Sequence, residues 1–164
     1  MEHVADIPSR FIPLLDQVAD PEIPLLTVRD MGVVRKVEEA DDHITITITP
    51  TYSGCPAMDT IEKDLLHVFR NNGYPNTEVK TILYPPWTTD WFSEEAREKL
   101  VQSGISPPDH ALSKAEMLGK DVHATCPRCK SQNTQRISEF GSTACKALYK
   151  CLDCGDPFDY FKCI

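Results

Sequence analysis

No stretch of this chain comes near the roughly 20 consecutive apolar residues that a bilayer-spanning helix needs. Met1–Arg10 has neither the basic start nor the apolar run of a secretory signal. No membrane is expected as a partner, and a cytoplasmic location is expected. Positive charge is scarce: 17 Lys/Arg stand against 25 Asp/Glu, for a net charge of -8. An acidic body repels phosphate backbones and no clustered basic stripe offsets it, so nucleic acid is not an expected partner. Gly-x-Gly-x-x-Gly motifs and Glu-x-x-His pairs are missing. Dinucleotide-binding domains and carboxylate-bridged di-iron bundles are thereby set aside. No histidine is placed to serve a cysteine nucleophile: His43 starts a strand, His67 lies about three helical turns beyond Cys55, and His110 falls in a linker. No catalytic residue is assigned. Internal repeats and long low-complexity runs are also absent.

Cysteine, by contrast, is plentiful, with 7 residues. A reducing compartment makes metal binding or thiol chemistry the expectation rather than disulfides. Four of the seven form two Cys-x-x-Cys pairs, Cys126/Cys129 and Cys151/Cys154, with 21 residues between them. Two residues between paired cysteines let a tight turn aim both thiolates at one ion, and a second such turn completes a tetrahedron. The separation slightly exceeds the usual template and leaves room for a hairpin or an enlarged loop. A module this small buries little apolar surface, so its ion would supply most of its folding free energy. Zinc is the first choice, with an iron–sulfur cluster as the alternative, because tetrahedral sulfur ligation suits both. Cys145 reads equally as an extra ligand or a small core residue. His123 is a spare ligand candidate, and Cys163 carries no assignment. The aromatics Phe140, Tyr149, Phe158, Tyr160 and Phe161 are expected to pack the module's two faces.

The rest of the chain reads as a small α/β (α+β) domain in the order helix–strand–strand–helix–strand. Phe11, Leu15 and Val18 recur at helical spacing between Pro8 and Ala19. Gly32–Glu39 and His43–Thr49 read as strands joined by a polar hairpin turn, Ala40-Asp-Asp42, with Ile44, Ile46 and Ile48 on one face. Pro56–Asn72 is the strongest helix: Met58, Ile61, Leu65, Val68 and Phe69 form its apolar stripe and Gly73 its stop. A third strand is expected over Thr77–Tyr84 and an appended helix over Ser93–Ser103. The domain division is then 1–104 for the α/β domain with that helix, 105–123 for a linker and 124–164 for the four-cysteine ribbon.

Outside the ribbon, Cys55 is the cysteine placed to act. It precedes Pro56 at the start of the strongest helix. A thiolate there faces free backbone N–H groups and the positive end of the helix dipole, an environment that favours it. The alternative is a small buried residue. Asp20 and Glu22, in Asp20-Pro-Glu22, read either as metal-binding carboxylates or, more commonly, as turn and cap acceptors.

Asp20-Pro-Glu-Ile-Pro-Leu-Leu-Thr-Val-Arg-Asp-Met-Gly32 and Thr49-Pro-Thr-Tyr-Ser-Gly-Cys-Pro56 resemble the metal–sulfur cluster biosynthesis domain of iron–sulfur assembly factors. With Pro86-Trp-Thr-Thr-Asp-Trp91 and Glu139-Phe-Gly-Ser-Thr-Ala-Cys-Lys-Ala-Leu-Tyr-Lys-Cys151, nearly the whole chain resembles the family of the D component of phenylacetyl-CoA epoxidase. The resemblance implies a role in aerobic phenylacetate degradation, as an accessory factor for a multicomponent monooxygenase. It implies assistance with iron or iron–sulfur cluster insertion into an oxygenase or reductase subunit, rather than epoxidation. The alternative it leaves is a non-catalytic docking subunit of the epoxidase complex. Residue by residue, it places the family's reactive cysteine on Cys55, where iron or a cluster would bind transiently. The acidic motif falls on Asp20 and Glu22, and the metal ligands on Cys126, Cys129, Cys151 and Cys154. The implied partners are the protein subunits of the epoxidase.

Overall fold

The structure is a computed structural model and describes residues 6–109 and 123–162. The chain divides into two compact units, Met1–Ser93 and Glu94–Ile164.

The first unit has the expected element order. A 3-10 turn, Ser9–Phe11, runs into a short helix α1, Ile12–Leu15. β1 (Val34–Ala40) and β2 (His43–Ile48) form an antiparallel hairpin, α2 (Ala57–Asn71) crosses over, and β3 (Thr77–Thr81) pairs parallel to β2. β2 is therefore the central strand of a sheet ordered β1-β2-β3. The hairpin turn is tight because Asp41 and Asp42 both take positive φ, 50° and 60°, the pair of dihedrals a two-residue turn between twisted strands demands. Ile44, Ile46 and Ile48 are all buried, as are Ile61, Leu65 and Phe69 of α2. Ala57 is the first buried residue of that helix, while Met58 and Val68 flank the stripe half-buried. Phe11 closes the far end, 5.6 Å from the Phe69 ring and 5.3 Å, edge-on, from Tyr74.

The helix expected over 8–19 is shorter than its periodicity promised. Beyond Leu15 the chain makes only single turns, and then the Val18 carbonyl accepts the Val28 N–H at 3.0 Å and Ala19 bridges Thr27. A return loop thus takes the backbone groups that a continuing helix would have used.

Residues 87–93 pack onto the approach to β1. Trp87 is buried, donates its indole N–H to the Met31 carbonyl at 2.8 Å and stands edge-on to Phe92. Gly32 has φ +66°, and a Cβ there would lie 2.7 Å from Trp91 Cβ and 2.9 Å from the Trp91 carbonyl oxygen.

In the second unit, α3 (Glu94–Gln102) precedes a sheet ordered β4-β7-β6-β5. β4 (Ile105–Ser106) pairs parallel to β7 (Pro157–Phe161). β5 (Thr134–Ser138) and β6 (Lys146–Cys151) form the hairpin between the cysteine pairs, and β6 and β7 are antiparallel. One face of this sheet carries a compact core of Ala124, Cys126, Ala147, Tyr149, Cys151, Phe158 and Tyr160. The Tyr149 ring stacks on Phe158 and meets Tyr160 edge-on. The aromatics therefore pack the module, with one exception: Phe140 is exposed, under the Lys162 ammonium at 4.6 Å.

Two boundaries differ from the sequence reading. The helix read as an appendage of the first domain groups with the second unit, and the segment read as linker contains β4. A two-residue strand pairing with residues more than fifty positions away has no local signature. Residues 110–122 of that linker, with His110, lie outside the described residues, as does Cys163. Among the described residues no helix is long and apolar enough to cross a membrane.

Candidate functional site

The two Cys-x-x-Cys segments fold into matching turns. The Cys126 carbonyl accepts the Lys130 N–H at 3.0 Å, and the Cys126 N–H reaches the Ser131 carbonyl at 2.9 Å. The Cys151 carbonyl likewise accepts the Gly155 N–H at 3.0 Å, and its N–H reaches the Asp156 carbonyl at 2.9 Å. Lys130 and Gly155 occupy the same place in the two turns and both take positive φ, 64° and 78°. The repeated geometry points four sulfurs inward, all within 4.8 Å of one another. Cys126 and Cys154 Sγ are 3.8 Å apart and Cys129 and Cys151 Sγ 3.5 Å. Four thiolates at a metal–sulfur distance of about 2.3 Å in a tetrahedron stand about 3.8 Å apart. The donor set fits a single tetrahedral ion held without further ligands.

The turns are tied to each other by side chains to which the sequence analysis assigns no role. Asp153 accepts the Ser131 hydroxyl at 2.5 Å and the Asn133 amide at 2.7 Å, and Arg128 reaches Asp156 at 3.3 Å. These donors hold the Asp153 carboxyl below its ordinary range, Ser131 first and Asn133 second. The available signal was position: an acidic residue within or just after the second pair faces polar residues within or just after the first.

Protons are unevenly held among the four thiols. Backbone N–H groups, Cys154 foremost, lower Cys151 to about 7. At Cys129 the Ser131 backbone favours the thiolate, but burial and the three neighbouring thiols outweigh it and push the group up to about 12. Cys154 is raised as well: the Asp156 backbone favours its thiolate, and burial with the Cys151 and Cys126 thiols opposes. A divalent ion must displace every proton these thiols still hold near neutral pH, those of Cys129 and Cys154 among them, so affinity should rise with pH by at least two protons' worth, roughly a hundredfold per unit or more. Below pH 7 the Cys151 proton joins them and the dependence steepens. Competition titrations against a chromophoric chelator from pH 6 to 8.5 measure that slope, and a flat profile would contradict it.

The other ribbon candidates stand apart. Cys145 is buried, its thiol 3.0 Å from the Thr143 hydroxyl, and it lies outside the four-sulfur cluster. His123 places Nδ1 2.8 Å from the Thr134 carbonyl and is likewise outside it.

In the first unit, Cys55 is a half-buried free thiol. It lies one residue outside Pro56, the helix cap, with its carbonyl accepting the Met58 N–H at 3.2 Å and its N–H directed to the Tyr52 carbonyl at 3.3 Å. The loop Thr49–Gly54 delivers it from the end of β2, with Gly54 at φ +79° making the last turn. No side chain caps α2. Asp20 is buried, and its Oδ1 accepts the backbone N–H groups of Glu22 and Ile23, both at 2.8 Å. It holds a turn. Glu22 is half-buried. Among the described residues the four ribbon cysteines are the one cluster of three or more candidate ligands, so Cys55, Asp20 and Glu22 do not form a ready three-ligand site. His67 is exposed and pairs with Asn71 on its own helix.

Residues 12–80 match the family model described as iron–sulfur cluster assembly protein, and residues 111–162 match the PaaD zinc beta ribbon domain. Over 157 residues the chain is 49% identical to an Escherichia coli K12 protein provisionally named as the D component of 1,2-phenylacetyl-CoA epoxidase, covering 92% of this chain and 90% of that one. The chain belongs to the family of phenylacetyl-CoA epoxidase D components. It is also 37% identical, over 89 residues, to an Fe-S protein maturation auxiliary factor of Porphyromonas gingivalis W83, covering 53% of this chain and 84% of that one. A crystal structure of a domain of unknown function, DUF59, from Bacillus anthracis matches 56% of this chain and 88% of its own length, with a TM-score of 0.52 and 29% identity. The chain thus joins an iron–sulfur assembly-type domain to a four-cysteine metal-binding ribbon, and the names of its relatives, an epoxidase component and a maturation factor, imply protein partners.

Proposed function

We propose that this chain is an accessory maturation factor for the phenylacetyl-CoA epoxidase of aerobic phenylacetate degradation. It helps insert iron or an iron–sulfur cluster into the oxygenase or reductase subunit. One observation carries the reading: a free, half-buried thiol stands at the open start of α2, on a domain of the iron–sulfur assembly family. Cys55 holds the cargo transiently, and a carboxylate, Glu22, or Asp20 after its turn opens, completes the ligation only when cargo and client are both present.

The ribbon holds one zinc ion and serves as a rigid docking module. Sulfur separations of 3.5 and 3.8 Å support a single ion, because a cluster distributes its thiolates over two or more irons and spreads them further. The four cysteines would supply the whole ligand set, and zinc would supply cross-linking without redox chemistry.

Cys55→Ala tests the transfer role. The variant should fold normally and keep its ribbon metal, while client subunits matured with it carry at least tenfold less iron by elemental analysis. Full client iron would defeat the reading and leave a docking role in the epoxidase complex as the better one.

A further inference from the structure

The two metal-binding turns match position for position. Arg128 in the first corresponds to Asp153 in the second, each between the cysteines of its own pair, and Ser131 corresponds to Asp156, each two residues past its pair. Ser131 and Asp156 serve their own turns alike: the Ser131 backbone N–H donates to the Cys129 sulfur and the Asp156 N–H to that of Cys154. The Asp153 N–H donates to the Cys151 sulfur. Such donors orient a ligating group and take up part of its charge, and losing an outer partner of this kind weakens metal binding by about 10–100-fold.

Each turn grips the donor residue of the other from its middle position. Arg128 reaches the Asp156 carboxylate at 3.3 Å, and Asp153 accepts the Ser131 hydroxyl at 2.5 Å. The two clasps are unequal. The first joins side chains 69% and 36% exposed, and surface pairs of that kind contribute little. The second is a closed ring. Asn133 donates its side-chain amide to the other Asp153 oxygen at 2.7 Å and its backbone N–H to the Ser131 hydroxyl at 3.0 Å. Its carbonyl accepts the Leu152 N–H at 2.8 Å, one residue from Asp153. A carboxylate held at both oxygens makes charge-assisted bonds of fixed geometry. The ring thereby couples the N–H donors of Cys129 and Cys151, ligands from opposite turns whose sulfurs lie 3.5 Å apart.

We propose that Asp153, with Ser131 and Asn133, is a positioning network that slows release of the ribbon's ion and so keeps the ribbon folded against competing chelators. The inference rests on the reading of the ribbon as a zinc site and deepens it, because retention is assigned to side chains that are not ligands.

Full-length chain loaded with zinc, its content verified by elemental analysis, is mixed with an excess of a chromophoric chelator, and release is followed by absorbance. Asp153→Ala should release zinc at least tenfold faster than wild type. Asn133→Ala should fall between the two, and Asp153→Ala/Asn133→Ala should match Asp153→Ala within about twofold, because both changes open one ring. Arg128→Ala should stay within about threefold of wild type. Cobalt-loaded protein reports on the donors themselves. In Asp153→Ala the thiolate-to-cobalt charge-transfer band should move to lower energy, while the ligand-field bands keep tetrahedral intensity and amide protection in β6 and β7 is unchanged.

Release from Asp153→Ala within twofold of wild type would overturn the network, as would effects of the two single variants that multiply in the double one. Faster release with an unmoved charge-transfer band would also overturn it, since the N–H donors would have stayed in place. Lost protection in the loaded ribbon would overturn it too, by making folding the cause. A wild type that holds no zinc would defeat the zinc reading and the network with it, whereas a zinc-bearing wild type whose variants release no faster would defeat the network alone.

Discussion

Removing the ion from the four-cysteine site should unfold β5, β6 and β7 and leave the first unit folded. The core beside the site holds seven buried residues, and two of them, Cys126 and Cys151, are ligands. A structural zinc site is worth about 10–16 kcal/mol of apparent binding free energy at neutral pH. A core of two alanines, three aromatics and two bare thiols offers far less, and small modules of this size rarely fold unaided. Metal-free thiols are also poor neighbours: their protons are held unevenly, with Cys129 pushed up to about 12 and Cys151 lowered to about 7. Amide hydrogen exchange before and after chelation gives the readout. Protection over 146–151 and 157–161 should be lost, while protection in β2 and α2 persists. Cys151→Ser should reproduce the effect without chelator. Protection that survives verified metal removal would show that the aromatic core holds the ribbon alone.

Gly32→Ala should be the most damaging small substitution in the first unit. An L-residue at φ +66° costs about 1–2 kcal/mol in backbone strain alone. The added Cβ would also lie 2.7 Å from Trp91 Cβ and 2.9 Å from a backbone oxygen, neither of which can rotate away, so overpacking adds about 1–3 kcal/mol. The sum, about 2–5 kcal/mol, is a large fraction of the stability of a domain this size. Gly73→Ala separates the two terms, since Gly73 has φ +94° and nothing within 4 Å of its would-be Cβ. It should lose only the strain component. Both tryptophans, Trp87 and Trp91, belong to the first unit, so urea denaturation followed by their fluorescence reports on that unit selectively. Equal losses for the two variants would remove Trp91 from the explanation.

How legible each feature was depended on the distance over which its cause acts. The hairpin β1–β2 and helix α2 were readable because alternation, a 3.6-residue stripe and turn residues are local. The α1 segment shows where that logic stops: its apolar spacing was helical, but Val18 and Ala19 were claimed by a return loop ten residues away. β4 was invisible for the same reason, being two residues defined by a partner near the other end of the unit. Among site residues, the four ribbon cysteines could be grouped from spacing, while Cys145 had to be left open until its thiol was seen beside Thr143. Asp20 had two readings, and its two backbone N–H partners favour the turn.

By itself, then, the amino-acid order determined the local chemistry: two metal-binding turns, a thiol at a helix start and an acidic body, because each needs only neighbours within a few residues. Tertiary structure decided which groups share a place. It drew Cys126 to Cys154 and Cys129 to Cys151 across the hairpin, closed Asp153 on Ser131 and Asn133, and seated Trp91 on Gly32. Those juxtapositions arise from chain crossings between segments 20 to 60 residues apart, and no window of the sequence contains both partners.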